Sequence, residues 1–183
     1  MKTTKTACLI LASLLFGISS NAHAQNTAAQ TTVYHHNDIN KENPTADQDI
    51  KVLEDFENAI VSGDLDKAKS FLADNFKGYG PGANDSATAE QVIGFWQENY
   101  KTHTNRKINF VDHTWQVTEG QYKGNWVAMW GEYDCTINAK DVRIPFQTTA
   151  RIANGKIEMQ ISYWDNLSPS LSLGYTLTPP KQN

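Results

Sequence analysis

The stretch VRIPFQTTARIANGKIEMQISYWDN, at residues 142–166, decides the fold of this chain. Two runs of alternating apolar and polar residues are separated in it by Asn154-Gly155, a pair that is the strongest short-range signal for a β-hairpin. Alternation has the period of a β-strand, in which successive side chains point to opposite faces of a sheet. The stretch therefore predicts two antiparallel strands, over residues 142–153 and 156–166.

The sequence before this hairpin extends the sheet. Alternating runs over residues 107–118 and 126–138 predict two further strands. Turn residues, among them Glu119-Gly120, separate them. The four runs together predict one antiparallel sheet made from consecutive strands.

Upstream of residue 105 the apolar residues recur at helical spacing. This period predicts a first helix over residues 50–60 and a second over residues 65–72. Thr88, followed three positions later by Gln91, forms a capping box that begins a third helix. Three helices followed by four antiparallel strands indicate an α+β domain whose helices pack on one face of the sheet.

The N-terminal residues 1–24 are typical of a secretory signal peptide. Lys2 and Lys5 precede an apolar run of about a dozen residues, and an Ala-x-Ala site ends at Ala24. The run is shorter than the roughly 20 residues that span a bilayer, so we expect cleavage, a secreted or periplasmic protein and no membrane contact afterwards. Residues 25–46 are poor in apolar side chains and are predicted to form a flexible tail, which leaves residues 47–183 as the domain.

Charge and motifs narrow the classes of function. The chain carries 16 Lys and Arg against 20 Asp and Glu, a formal net charge of −4, which argues against nucleic acid as a partner. No phosphate loop, nucleophile elbow or zinc motif is present, so no cofactor or metal is expected. His35-His36 in the tail lacks further ligands at a metal-site spacing. Cys135 is interpreted as a buried apolar residue, with a catalytic thiol as the alternative.

Strand alternation assigns the side chains to two faces of the sheet. The inward set is aromatic and apolar, and with the third helix it predicts a ligand pocket lined by Phe95, Trp96, Met129, Tyr133, Phe146, Met159 and Tyr163. Asp165 continues the phase of Ile157 and Tyr163 along the last strand, so it too is predicted to face inward. The alternative is an aspartate turned to solvent that caps the turn at residues 166–168.

Two tryptophans fall on the outer face of the predicted sheet. Trp126 and Trp130 are two positions apart on one strand, and exposed aromatic clusters usually mark a contact surface. We therefore expect a homodimer through this face. The alternative is that residues 168–180 fold back over both rings. Glu132 and Asp134 share the same face, which favours a solvated or interface role over acid–base chemistry.

Residues 50–175 resemble the nuclear transport factor 2-like superfamily, and its SnoaL-like branch most closely. The resemblance lies in the order and spacing of the segments at residues 62–66, 71–76, 80–82, 154–157 and 163–165. It implies a cone-shaped, strongly curved antiparallel sheet wrapped around three N-terminal helices, with a pocket at the open end. It also implies dimers that form through the outer sheet face.

The resemblance implies which catalytic groups the chain could hold. In the steroid isomerase branch a tyrosine and two acids occupy the positions that are Phe56, Gly80 and Thr148 here, so that proton shuttle is excluded. The SnoaL-like cyclases use an aspartate of the last strand as acid–base, which matches Asp165. His113 is predicted to face inward as its partner, and a histidine satisfied in the core is the alternative.

Three functions remain open on the sequence. The first is a secreted domain that binds a small apolar molecule in its pocket without chemistry of its own. The second is a SnoaL-like cyclase or isomerase that uses Asp165, with His113 as its second group. The third is an interaction module that works through Trp126 and Trp130.

Overall fold

The computed structural model describes residues 39–178. The signal peptide predicted at residues 1–24 and the His35-His36 pair lie outside the described residues. The helices are α1 (Ala46–Ser62), α2 (Leu65–Ser70), α3 (Ala89–Asn99) and α4 (Leu167–Leu173). The strands are β1 (Asn40–Lys41), β2 (Leu72–Tyr79), β3 (Ser86–Ala87), β4 (Thr104–Val117), β5 (Gly124–Ile137), β6 (Lys140–Ala153) and β7 (Lys156–Trp164).

The predicted α+β class is confirmed. Over the described residues the strands form one open sheet in the order β1-β4-β5-β6-β7-β2-β3, and the four long strands β4 to β7 pair antiparallel in sequence. The sheet is larger than predicted, since β1, β2 and β3 join the four long strands, and β2 runs parallel to β7. A short fourth helix, α4, follows the last strand.

The core forms where one stripe of α1 meets the inner face of the sheet. Leu53, Phe56 and Ile60 recur at helical spacing and are almost fully buried. They pack against inner-face residues of the long strands, including Val127 and Met129, which are 0 % exposed. Each such side chain contributes roughly 1.5–3 kcal/mol by burial, so this contact fixes where α1 lies on the sheet.

An extra residue in β7 changes which of its side chains face inward. Ile152 pairs with Ile157 while Arg151 pairs with Met159, so Glu158 is inserted as a β-bulge. A shift of one residue moves every later side chain to the other face. Gln160 is therefore buried, whereas Tyr163, predicted to face inward, is 56 % exposed.

The outer face is less open at Trp126 than predicted. Trp126 is only 3 % exposed, because its indole N–H donates to the carbonyl of Tyr122 and the Arg151 guanidinium lies 5.9 Å from its ring centroid. Trp130 remains 46 % exposed. Helix α4 does not cover these rings, since its Leu173 packs against the inner cluster around Tyr133.

Folded structure begins before residue 47, inside the segment that the sequence assigned to the tail. Asn40 and Lys41 pair with the end of β4. Asn43 is buried, and its side-chain amide donates to Asp49 of α1 at 2.9 Å. The Asp49 carboxylate also accepts hydrogen bonds from Thr45 at 2.6 Å and Asn125 at 3.0 Å, so one carboxylate joins this segment, α1 and β5.

We expect Asp49→Ala to lower the free energy of unfolding by about 3 kcal/mol, because three buried or half-buried donors would lose a charged acceptor. Asp47→Ala removes an exposed acid from the same helical turn and should cost less than about 1 kcal/mol. Urea denaturation of both variants measures the difference. Equal losses would mean that the Asp49 hydrogen bonds do not anchor the segment.

Candidate functional site

A cavity of about 540 Å³ lies between α1, α3 and the inner face of the sheet, with α4 at its rim. Small-molecule sites commonly fall between about 300 and 1,000 Å³. The walls are mostly aromatic and aliphatic, and the ring centroids of Trp96 and Tyr133 lie 5.6 Å apart in an edge-to-face arrangement. The fold therefore leaves an apolar space open next to its core.

Four of the side chains predicted to line a pocket do lie on this cavity: Phe95, Trp96, Tyr133 and Phe146. Tyr163 also borders it, but its side chain is 56 % exposed and shares a register row with Trp130 of the outer face. Two others lie elsewhere. Met129 is 0 % exposed and belongs to the core beneath α1. Met159 lies after the bulge of β7, opposite Arg151, and is not among the lining residues.

The floor of the cavity carries a chain of polar side chains that the sequence analysis did not identify. The Gln160 amide nitrogen donates to the Glu57 carboxyl at 3.1 Å and to the Thr148 hydroxyl at 2.9 Å. Thr148 and Ser162 share a further hydrogen bond of 2.8 Å. All four residues line the cavity, so α1, β6 and β7 together present a polar floor beneath apolar walls.

Burial raises the pKa of Glu57 to about 7, and the hydrogen bond from Gln160 opposes that rise. Removing a carboxylate from water disfavours its charged form. Among the described residues, Gln160 is its only hydrogen-bond partner and no cation pairs with it. Glu57 is therefore a carboxyl group that exchanges its proton near neutral pH.

The position of Glu57 in the sequence carries a signal for this role. The apolar stripe of α1 places Leu53, Phe56 and Ile60 on the sheet, and residue 57 follows the spacing of that stripe. A glutamate there is almost always exposed unless it has a partner. The partner, Gln160, reaches it only because of the bulge in β7, which the alternation pattern did not reveal.

A second polar group lies on the cavity wall near the end of α3. His103 Nδ1 and the Tyr133 hydroxyl are 3.2 Å apart. Burial and the Arg106 cation lower the pKa of His103, while burial raises that of Tyr133. Both side chains are therefore neutral at pH 7. Cys135 is buried and its pKa is raised by burial, which fits the apolar interpretation of that residue.

The structure does not bring Asp165 and His113 together in the cavity. Asp165 Oδ1 accepts hydrogen bonds from the backbone N–H groups of Leu167 and Ser168, at 2.8 and 3.1 Å. Hydrogen bonding to the side chain and backbone of Ser168, and then to the backbone of Leu167, lowers the pKa of Asp165. His113 is exposed and stacks on Trp115 with ring centroids 6.1 Å apart. Neither residue lines the cavity.

The acidic pair on the outer face has a structural partner. Arg143 forms ion pairs with Glu132 at 3.3 Å and with Asp134 at 2.9 Å. These contacts account for both carboxylates without a catalytic role.

Phe56, Gly80 and Thr148 occupy the three positions that hold catalytic groups in the steroid isomerase branch, and all three line the cavity. A Cβ atom at residue 80 would lie 2.2 Å from the carbonyl oxygen of Ser162, and Gly80 has φ of +91°. An acid cannot take this place without a backbone shift. The exclusion of that proton shuttle therefore has a steric reason as well as a chemical one.

Two negative observations apply to the described residues 39–178. No three His, Cys, Asp or Glu side chains come together in a group that could hold a metal ion. No helix there is long and apolar enough to cross a membrane.

Comparison with known proteins identifies a SnoaL-like domain, matched by residues 53–159. Comparison with curated protein sequences finds no significant match. Among solved structures, IdmH from Streptomyces antibioticus, a candidate polyketide cyclase, is 16% identical with a TM-score of 0.58, covering 70% of this chain and 99% of its own.

Two further solved structures share the fold. A protein of ketosteroid isomerase-like fold from Catenulispora acidiphila, in complex with trimethylamine, is 16% identical with a TM-score of 0.53, covering 70% of this chain and 98% of its own. An LEH-like epoxide hydrolase from M. tuberculosis is 15% identical with a TM-score of 0.53, covering 71% and 97%. These likenesses confirm the fold that the resemblance predicted.

The raised pKa of Glu57 predicts a specific dependence of stability on pH. The folded protein keeps this proton up to about pH 7, whereas the unfolded chain releases it near pH 4.5. Stability should therefore fall as pH rises between these values, by about 3 kcal/mol. Glu57→Gln should remove this fall, so that the two proteins have diverging unfolding free energies from pH 4 to 8.

Urea denaturation across that pH range measures the divergence. Glu54→Gln, which removes one charge from the same helix, is the matched control. Parallel curves for the wild type and Glu57→Gln would contradict the assignment of a raised pKa to Glu57.

Proposed function

Because the chain belongs to the SnoaL-like domain family, we propose that it binds a small, mainly apolar molecule in the cavity between α1, α3 and the sheet. One observation carries this proposal: the cavity of about 540 Å³ remains unfilled by the protein's own side chains although its walls are apolar. Apolar surface that stays unburied does not contribute to the stability of the fold. A bound ligand would bury this surface and gain that free energy.

The composition of the walls supports a cyclic or aromatic ligand. Phe95, Trp96 and Trp164 form a continuous aromatic wall, with ring centroids 5.8 and 6.4 Å from Phe95 to its two neighbours. Aromatic side chains supply large, rigid contact areas to flat ligands. The polar floor at Glu57 and Gln160 would then orient the ligand inside the cavity.

A second candidate function is an acid–base enzyme of the cyclase or isomerase type. The observation that favours it is the Glu57 carboxyl in the cavity, because its pKa of about 7 suits proton exchange at neutral pH. Asp165, the group chosen from the sequence, instead holds the first turn of α4.

The signal features at residues 1–24 support a further proposal, that the mature protein works outside the cytoplasm as a secreted or periplasmic domain.

The exposed row across the outer face supports a homodimer. Val111, Trp130 and Tyr163 lie in one register row across the strands, with Gln147 between Trp130 and Tyr163, and the three apolar residues are each about half exposed. Apolar rows of this kind usually mark an interface.

The binding proposal predicts the effect of one wall substitution. Phe95→Asp should weaken binding of 1-naphthylmethanol, a neutral bicyclic probe, by about tenfold or more, because an apolar contact is replaced by a hydrated charge. Val111→Asp makes a similar change on the outer face and should leave binding unchanged. Isothermal titration calorimetry measures both. Equal affinity in all three proteins would place the probe outside the cavity.

The dimer proposal predicts that the isolated domain sediments as a dimer. Trp130→Glu should raise the dissociation constant of this dimer at least tenfold, because a charge would be buried in the interface. Phe95→Glu, the same kind of change at the cavity, is the control. Analytical ultracentrifugation gives the constants, and a monomeric wild type at high concentration would rule the dimer out.

A further inference from the structure

We infer that the ligand of this cavity carries a protonated amine, held by Glu57 at the floor while its apolar body lies against the aromatic walls. This inference rests on the proposed binding function and names the chemical class of the ligand. It follows from three features of the described residues: the hydrogen-bonding groups of the floor, the charges around the cavity and the aromatic surface.

The floor offers acceptors of hydrogen bonds and no spare amide donor. Both hydrogens of the Gln160 amide are used inside the protein, one on the Glu57 carboxyl and one on the Thr148 hydroxyl. The second oxygen of Glu57 and the carbonyl oxygen of Gln160 accept no hydrogen bond from the described residues. An ammonium group has three donors and no acceptor, so it complements this floor.

The charges around the cavity also favour a positively charged ligand. No Lys or Arg is among the described residues that line it, and its acidic lining residues are Glu57 and, at the rim, Asp85. The other titratable side chains on the lining are Tyr79, His103, Tyr133 and Tyr163. The cavity therefore disfavours an anionic ligand and favours a cation.

One cation that contacts residues of the cavity wall, Arg106, is already bound within the protein. Arg106 donates to the carbonyl oxygens of Val61 and His103, at 2.9 and 3.0 Å, and its guanidinium lies 4.2 Å from the ring centroid of Tyr100. These contacts hold the guanidinium within the protein, and Arg106 makes no ion pair with Glu57 among the described residues. A bound ammonium would supply the counter-charge that this buried carboxylate lacks.

The walls add a second attraction for a cation. Trp96, Phe95 and Trp164 present aromatic rings to the cavity, and the face of an aromatic ring attracts a nearby cation, most strongly in a desolvated site. The same rings bury the apolar part of the ligand. A lipophilic amine uses both features, whereas a neutral hydrocarbon uses only one.

The test compares three compounds of nearly identical shape: 1-naphthylmethylamine, 1-naphthylmethanol and 1-naphthoic acid. At pH 8 the amine should bind the wild-type domain at least tenfold more tightly than the alcohol, because a charge-assisted hydrogen bond replaces a neutral one. The acid, ionised at this pH, should bind most weakly. Titration calorimetry measures all three.

The Glu57→Gln variant identifies the group responsible. The glutamine keeps the size of the side chain and an acceptor for Gln160 but removes the charge, so the preference for the amine should disappear while the alcohol binds as before. Asp85→Asn removes the acid at the rim and should retain most of the preference. A preference that survives in Glu57→Gln and is lost in Asp85→Asn would assign the cation to the rim and overturn the inference.

The pH dependence gives a check that needs no variant. Glu57 is mainly protonated at pH 6 and mainly ionised at pH 8, so the affinity for the amine should rise about tenfold over this range while that for the alcohol stays level. His103 lines the same cavity and would oppose the amine if it were protonated, but its pKa is lowered by burial. It therefore stays neutral over most of the range.

The possible results separate this inference from the proposed function. If the alcohol and the amine bind equally at pH 8, the cavity binds apolar molecules but the amine assignment is wrong. If the acid binds best, the assignment is also wrong. If none of the three compounds binds, the proposed binding function fails and this inference fails with it.

Discussion

One extra residue in β7 decides what the cavity can do. The bulge at Glu158 reverses the phase of the strand, so that Gln160 points to the inner face and meets Glu57 of α1. Without the bulge, Met159 would take the inner position and the Glu57 carboxyl would be buried with no partner, at a cost of several kcal/mol. The polar floor, the raised pKa of Glu57 and the orientation of Ser162 all depend on this insertion.

The same region balances stability against function. The stripe of α1 that packs on the sheet is apolar at Leu53, Phe56 and Ile60, and a leucine at residue 57 would complete it. The chain instead keeps a carboxyl that destabilises the fold whenever it is ionised. Departures from the local pattern that lower stability concentrate at functional sites, and this one opens directly into the cavity.

Local patterns in the sequence predicted the fold, but contacts between distant residues set the details of the site. The change from helical to alternating period, the Asn154-Gly155 turn and the Thr88 capping box are short-range signals, and each appears in the structure. The bulge at Glu158 follows from the pairing of two strands, which no local period encodes. Burial of Trp126 depends likewise on Arg151 from a neighbouring strand, so alternation alone predicted it to be exposed.

The positions of the acids explain why we propose binding rather than a proton shuttle. Moving a proton between two carbons requires a base on one side of the substrate and a separate donor that stabilises the oxyanion. The chain has Phe56 and Gly80 at two of the places that would supply these groups, and Gly80 lies too close to Ser162 to become an acid. One residue along α1, the Glu57 carboxyl instead accepts a hydrogen bond from Gln160, whose amide also donates to Thr148. A single carboxyl with a spare acceptor beside it can hold and orient a donor group, and that is the property a binding site requires.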